Sequence, residues 1–266
     1  MQLENFMPEH TYLFIDGGHL RNYYAESVRK WFGEDGQINF DALKTQMGAH
    51  KCFYYDCLDD IRRSNETEVE FEARQMKQEM ELNRIRNVHG THVRLGSLAG
   101  NEKTRRQKEV DILLAVDMMN HAVRQNMTRA VLLSGDRDFK PLIESLVQMG
   151  LFVIVAADFR HISNELARAA DGYREIRFHD YHTWSAPPLR NKFPVPFLMG
   201  GNPDLSGWFL LKTGTIGGIS SDLYQSSDNY LVLHKRSDSV VHAQSAELER
   251  LTLFCELEFG EIVWAP

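Results

Sequence analysis

Short apolar runs alternate with longer segments of helical period through the first 180 residues, and this alternation limits the fold more than any other feature of the chain. Tyr12-Leu13-Phe14-Ile15, Cys52-Phe53-Tyr54-Tyr55, His92-Val93-Arg94-Leu95, Ala130-Val131-Leu132-Leu133, Leu151-Phe152-Val153-Ile154-Val155 and Glu175-Ile176-Arg177-Phe178 are expected as strands. Helical spacing lies between them, over about 18–30, 66–88, 109–125, 139–149 and 162–170. Continuous apolar runs mark strands covered on both faces, as in a parallel sheet. Strand and helix in alternation imply right-handed βαβ units and a doubly wound α/β domain. Ligands of such sheets sit beyond the carboxyl ends of the strands, near the point where strand order reverses.

The pattern changes after residue 184. Four of the eight prolines (Pro187, Pro188, Pro194, Pro196) fall within ten residues, so 185–198 is expected as a linker. Residues 199–266 hold Gly-rich turns and short apolar runs: Trp208–Leu211, Tyr230–Leu233, Ser239–Val241 and Leu251–Phe254. They are expected to form a small, mostly β domain that carries no chemical motif. From 185 onward it holds nine acids against six bases, and it is expected to select substrate or a protein partner, or to pair the chain with a second copy.

Composition mainly excludes. At 43% hydrophobic and 25% charged, the chain is globular and not disordered. The first residues lack a basic stretch followed by an apolar one, so a secretory signal is not expected. The aliphatic stretch around Leu151–Ala157 is too short for a bilayer, so no membrane partner is expected. Three cysteines with no CxxC pair point to free thiols in a reducing cytoplasm. The net charge of −7, taken as a sum, argues against nucleic acid. Resolved by position it does not: residues 61–108 carry eleven bases against seven acids.

Acids follow the strands. Asp16 closes the first, Asp56 the second, and Ser134-Gly135-Asp136-Arg137-Asp138 follows the run at 130–133. Lys108-Glu109-Val110-Asp111 opens a helix soon after the third. A parallel sheet brings these carboxylates to one edge, where they repel one another unless a cation neutralises them. Oxygen donors alone select Mg²⁺ or Mn²⁺. Each acid also has a plain structural use. Asp16 can form a turn before Gly17-Gly18, and Asp56 can be a loop residue. Asp111 suits the dipole of a first helical turn. Asp138 can cap a helix that carries Pro141 in its first turn. Asp117, alone among apolar neighbours, reads as a hydrogen-bonded structural residue. One shared site accounts for the strand-end acids together better than four independent turns.

Phe14-Ile15-Asp16-Gly17-Gly18-His19-Leu20, Tyr54-Tyr55-Asp56, Lys108-Glu109-Val110-Asp111 running into Leu114-Ala115-Val116-Asp117-Met118, and Leu133-Ser134-Gly135-Asp136-Arg137-Asp138-Phe139 stand in an order that resembles the NYN domain. The resemblance is to its LabA-like branch in the PIN-like nuclease superfamily and covers roughly residues 10–180. It implies a Rossmann-like PIN fold and a divalent-metal-dependent endoribonuclease. Asp16, Asp111 and Asp136 carry over as metal ligands, and Asp138 as a further ligand or a water-orienting acid. Asp56 matches less closely. His19 stands where the family usually has Asn, and Glu109 where Gly is commoner.

The expected chemistry is hydrolysis of an RNA phosphodiester assisted by Mg²⁺ or Mn²⁺. His19 can donate to a phosphate or a water, and Ser134 can touch a phosphate or cap a helix. Arg105, Arg106 and Lys108, in a basic run ending three residues before Asp111, are expected to meet the RNA backbone. Tyr23, Tyr24 and Trp31 can stack on bases or pack in a core. The alternative is a catalytically silent RNA-binding or regulatory module. A phosphatase of the haloacid dehalogenase type would need a second Asp where Gly18 stands.

Overall fold

The computed structural model describes residues 10–99, 106–108 and 110–265. Two compact units divide the chain: one takes in the residues up to Tyr23 and Asn39–Ile176, the other Tyr24–Ile38 and everything from Arg177 on.

The first unit is built on a seven-stranded sheet. Its strands are β1 (Thr11–Asp16), β2 (Lys51–Cys57), β3 (Thr91–Ala99), β4 (Arg106–Lys108), β5 (Arg129–Leu133), β6 (Phe152–Asp158) and β7 (Gly172–Ile176), in the order β4-β3-β2-β1-β5-β6-β7. Six strands run parallel, and β4 is antiparallel to β3 at the edge. Both faces are covered, as the unbroken apolar runs require. Tyr12 and Phe14 of β1 join Phe53, Leu132 and Val155 in one core cluster with Leu114 and Met118 of helix α4 (Val110–Val123) and Ile143 of helix α5 (Lys140–Gln148). Leu13 and Ile15, alternating with them, are fully buried on the other side.

Helix α1 (Gly17–Phe32) leaves β1 without an intervening loop. Only glycine fits its first position, because a Cβ on Gly17 would lie 2.6 Å from the Tyr54 ring and the Tyr55 carbonyl. A short helix, α2 (Phe40–Gln46), went unpredicted; Asn39 caps it. Helix α3 (Glu68–Arg86) starts at a Thr67/Glu70 capping box. The chain steps from β1 to β2 to β3 on one side, and α4 then returns it to β5 on the other side of β1. Strand order therefore reverses between β1 and β5.

The second unit carries α7 (Phe178–Trp184), α8 (Pro187–Lys192), β8 (Phe197–Gly200), β9 (Phe209–Ile216), β10 (Ile219–Gln225), β11 (Tyr230–Lys235), β12 (Val240–Ser245), α9 (Leu248–Phe259) and β13 (Ile262–Trp264); α6 (Asn164–Ala169) belongs to the first. Its six strands form an antiparallel sheet ordered β13-β9-β10-β11-β12-β8. Gly217 and Gly218, both at positive φ, make the tight turn between β9 and β10.

Two expectations fail here. The segment 185–198 is not a bare linker: Pro187 and Pro188 open α8, where a missing N–H is harmless, and Phe197 and Leu198 already belong to β8. Leu251–Phe254 is helical, not a strand. Leu251, Phe254, Cys255 and Glu258 recur at helical spacing and are buried on one side of α9. Glu258 is tolerated in that interior because His179 Nδ1 lies 2.6 Å away and the His179 N–H donates to it at 2.8 Å. The Ser221 hydroxyl lies 2.9 Å from His234 Nδ1, and burial pushes His234 down to about 4.

Cys52 and Cys255 are buried, Cys57 is half-buried, and all three are free. Burial raises the Cys52 thiol to about 12, so it stays protonated. Among the described residues no helix is long and apolar enough to cross a membrane.

Candidate functional site at the strand reversal

Asp16 ends β1, and the β1–β5 register places Ile15 beside Leu133. Asp16 and Ser134 are therefore neighbours at the carboxyl edge, on the two sides of the reversal. The Ser134 hydroxyl is buried; it donates to Asp16 Oδ2 at 3.1 Å and accepts from the Asp136 N–H at 3.2 Å. It joins the two acid-bearing turns. Asp16 Oδ1 accepts from the His19 N–H at 3.1 Å in the first turn of α1.

Past β5, a single 3₁₀ turn spans Arg137–Phe139. Its cap is Asp136, whose carboxylate accepts from the Asp138 N–H at 2.9 Å. Asp138 was expected to be the capping residue, but the turn starts two residues earlier and leaves Asp138 exposed. Asp111 lies in the first turn of α4, the helix that crosses the reversal. Desolvation in the cleft, followed by the charges of Asp16, Asp136 and Asp138, lifts its carboxyl above the usual carboxylate range. Each of those three acids thus raises the energy of an ionised Asp111.

A cleft of about 390 Å³ opens here, lined by Asp16, His19, Asn22, Tyr23, Asp111, Asp136 and His161, with Gly18 and Gly135 in its floor. Gly135 cannot be larger, since a Cβ would lie 2.6 Å from the His161 carbonyl and 2.9 Å from His19 Cε1. The Gly135 N–H donates to His19 Nδ1 at 3.3 Å, which leaves the ring proton on Nε2. Nε2 is buried and has no partner among the described residues. Burial lowers the His19 pKa against the opposing pull of Asp16 and Asp158, so the ring is neutral and Nε2 is a donor.

The remaining acids are matched. Asp56 is buried; it pairs with Arg21 of α1, accepts from the Tyr54 hydroxyl at 2.9 Å and from the Cys57 N–H at 2.8 Å. Asp158, which closes β6 and was not predicted, is buried and held by Arg160 through two contacts of 2.8 Å. The run Val155-Ala156-Ala157-Asp158 repeats the apolar-strand-then-acid pattern and was available to sequence reading. Asp117 accepts from the Tyr55 hydroxyl at 3.0 Å and pairs with Arg94, in keeping with a structural role. By contrast, among the side chains that are described, which exclude those of Arg106 and Lys108, no Lys or Arg pairs with Asp16, Asp111, Asp136 or Asp138.

Of the expected RNA-contacting bases, Arg105 lies outside the described residues. Arg106 and Lys108 belong to β4, whose backbone pairs with Ala99 and Ser97 of β3. Tyr23 lines the cleft, whereas Tyr24 and Trp31 are buried within the second unit. The donors of the cleft are oxygens and suit a hard divalent cation in kind. Among the described residues, however, no three His, Cys, Asp or Glu side chains stand together closely enough to hold a metal ion.

Residues 10–177 match the family model of the NYN domain. A solved protein of unknown function from Vibrio parahaemolyticus is 18% identical, with a TM-score of 0.49, over 70% of this chain and 100% of that chain. No curated protein matches the chain.

Proposed function

The chain belongs to the NYN domain family, and from that premise we propose that it is a divalent-metal-dependent ribonuclease of the LabA-like branch, hydrolysing phosphodiester bonds within RNA. One observation carries the proposal. Four carboxylates, Asp16, Asp111, Asp136 and Asp138, meet at the strand reversal without a described cationic side chain, while acids on either side of them are paired. Unmatched like charges raise the free energy of the fold, and a cation is the ordinary remedy. A bound Mg²⁺ or Mn²⁺ supplies acidified water and offsets the negative charge of the transition state.

Asp16, Asp111 and Asp136 would have to draw closer together to hold the ion, and Asp138, exposed beside them, would hold or orient water. Ser134 keeps Asp16 and Asp136 in one frame, and the Asp138 N–H fixes the Asp136 carboxylate. His19 Nε2, a neutral buried donor without a described partner, would donate to a phosphoryl oxygen. Arg105, Arg106 and Lys108 would meet the RNA backbone beside the site.

A second reading, a catalytically silent RNA-binding or regulatory module, is favoured by the absence of a ready ligand group among the described residues. The two separate in one assay. Labelled single-stranded and structured RNAs are incubated with the protein in Mg²⁺, Mn²⁺ or EDTA, beside Asp136→Asn. Cleavage that needs metal and Asp136 supports the nuclease. Binding without cleavage supports the silent module.

A further inference from the structure

The acids occupy only part of the cleft. Its remaining wall is aromatic. The His161 and Tyr23 rings are stacked, with centroids 4.3 Å apart and planes 26° apart, and His19 meets Tyr23 edge-on at 4.6 Å. All three rings line the cleft that holds Asp16, Asp111 and Asp136. Tyr23 follows His19 by one helical turn on α1, so the column rises from the catalytic edge along that helix.

His161 is set on a fastened turn. Its N–H donates to the Asp158 carbonyl at 2.9 Å, the Arg160 N–H donates to the Asp158 carboxylate at 3.0 Å, and the Phe159 N–H donates to the Ile176 carbonyl at 3.1 Å. Its carbonyl lies 2.6 Å from where a Cβ on Gly135 would stand. Even so, the imidazole is 43% exposed. One ring face lies on Tyr23 and Nδ1 lies 3.5 Å from Asp158 Oδ1, so the exposed area belongs to the rest of the ring. A fixed, partly exposed aromatic ring, beside carboxylates that repel phosphate, gains nothing from a bare phosphate ligand. It gains from a flat π-system, and a nucleobase is the π-system that accompanies a phosphodiester.

We propose that His161, backed by Tyr23, is a stacking platform for one unpaired nucleobase next to the phosphate held at the acidic edge. This deepens the ribonuclease reading and rests on it. A base within a duplex is stacked on both faces and would have to be pulled out, so the platform selects an unpaired position. Because every base has a π-face, the platform tolerates all four, with purines the stronger stackers.

The test separates binding from cleavage. Fluorescein-labelled decaadenylate and decauridylate are titrated onto the full chain in EDTA, for the wild type, His161→Ala, His161→Phe and Tyr23→Ala. A second decaadenylate carries one abasic nucleotide at each position in turn. His161→Ala is expected to weaken binding about 5- to 150-fold, the range of one lost stacking contact. His161→Phe is expected to stay within about twofold of wild type, since it keeps the ring and drops the imidazole nitrogens. One abasic position should weaken wild-type binding and leave His161→Ala indifferent.

Equal affinity of His161→Ala and wild type would overturn the platform, as would His161→Phe binding as poorly as His161→Ala. His161 is exposed, so these variants test stacking and not folding. If the wild type binds with this dependence yet never cleaves, the nuclease reading falls and the platform stands. If it cleaves with metal but His161→Ala keeps its KM, the platform falls and the nuclease stands.

Discussion

The carboxyl edge of the parallel sheet holds two kinds of acid. On its flanks, Asp56 near the end of β2 and Asp158 at the end of β6 are buried and locked by Arg21 and Arg160. At its centre, around the β1–β5 reversal, Asp16, Asp111, Asp136 and Asp138 have no such partner among the described residues and oppose one another's ionisation at Asp111. Both groups lie at or just beyond the carboxyl ends of the strands, Asp111 alone in the first turn of a helix. The partner differs: on the flanks a guanidinium arrives from two residues away or from the first turns of α1, and among the described side chains none reaches the centre. Flanking acids are thus part of the fold, whereas the central acids are the ones proposed to meet a cation.

The largest way to break this contrast is by activity. Asp136→Asn is expected to reduce RNA cleavage by about 10²–10³-fold, on the scale of removing one stabiliser of transition-state charge. Asp158→Asn should leave the cleavage rate of the folded chain within a few-fold of wild type. Single-turnover cleavage of a labelled RNA at saturating protein measures both. Comparable losses in the two variants would erase the distinction.

Stability should show the opposite order. Asp56→Asn and Asp158→Asn leave Arg21 and Arg160 without their carboxylates. Breaking a fully buried pair costs about 3–5 kcal/mol, and partial exposure of both arginines lowers this to about 2 kcal/mol. Urea denaturation with an unchanged m-value reads that loss directly. Gly135→Ala joins this class, at about 1–3 kcal/mol, because the added methyl meets the His161 carbonyl.

The smallest effect sharpens the comparison most. Asp111→Asn removes repulsion and should raise stability by a few tenths of a kcal/mol in metal-free, low-salt buffer. The gain should shrink as salt screens the neighbouring charges. A destabilised Asp111→Asn would place Asp111 with the flanking acids.

The parallel sheet was legible in the sequence because strands buried on both faces must read as unbroken apolar runs, and Tyr12–Ile15 and Ala130–Leu133 do. The second unit was less legible for a matching reason. Four apolar-rich residues such as Leu251–Phe254 satisfy a strand or one turn of a buried helix equally well, and the buried Glu258 that continues the helical period looked like a surface residue. At the edge, the acids themselves could be read, but their sorting could not. Arg160, two residues beyond Asp158, hints at a local pair; Arg21, thirty-five residues before Asp56, gives no such hint. Capping by Asp136 instead of Asp138 depended on a 3₁₀ turn that no side-chain pattern announces. His161 was invisible, since only the fold brings it against Tyr23.

The acids without a cationic partner among the described side chains are proposed as a cation site, and those held by arginine are not. Calorimetric titration of Mn²⁺ into wild type, Asp136→Asn and Asp158→Asn, at a temperature where all three are folded, tests it without any RNA. Wild type and Asp158→Asn should bind with similar affinity, and Asp136→Asn at least about tenfold more weakly. No Mn²⁺ binding by the wild type, or equal binding by Asp136→Asn, would contradict it.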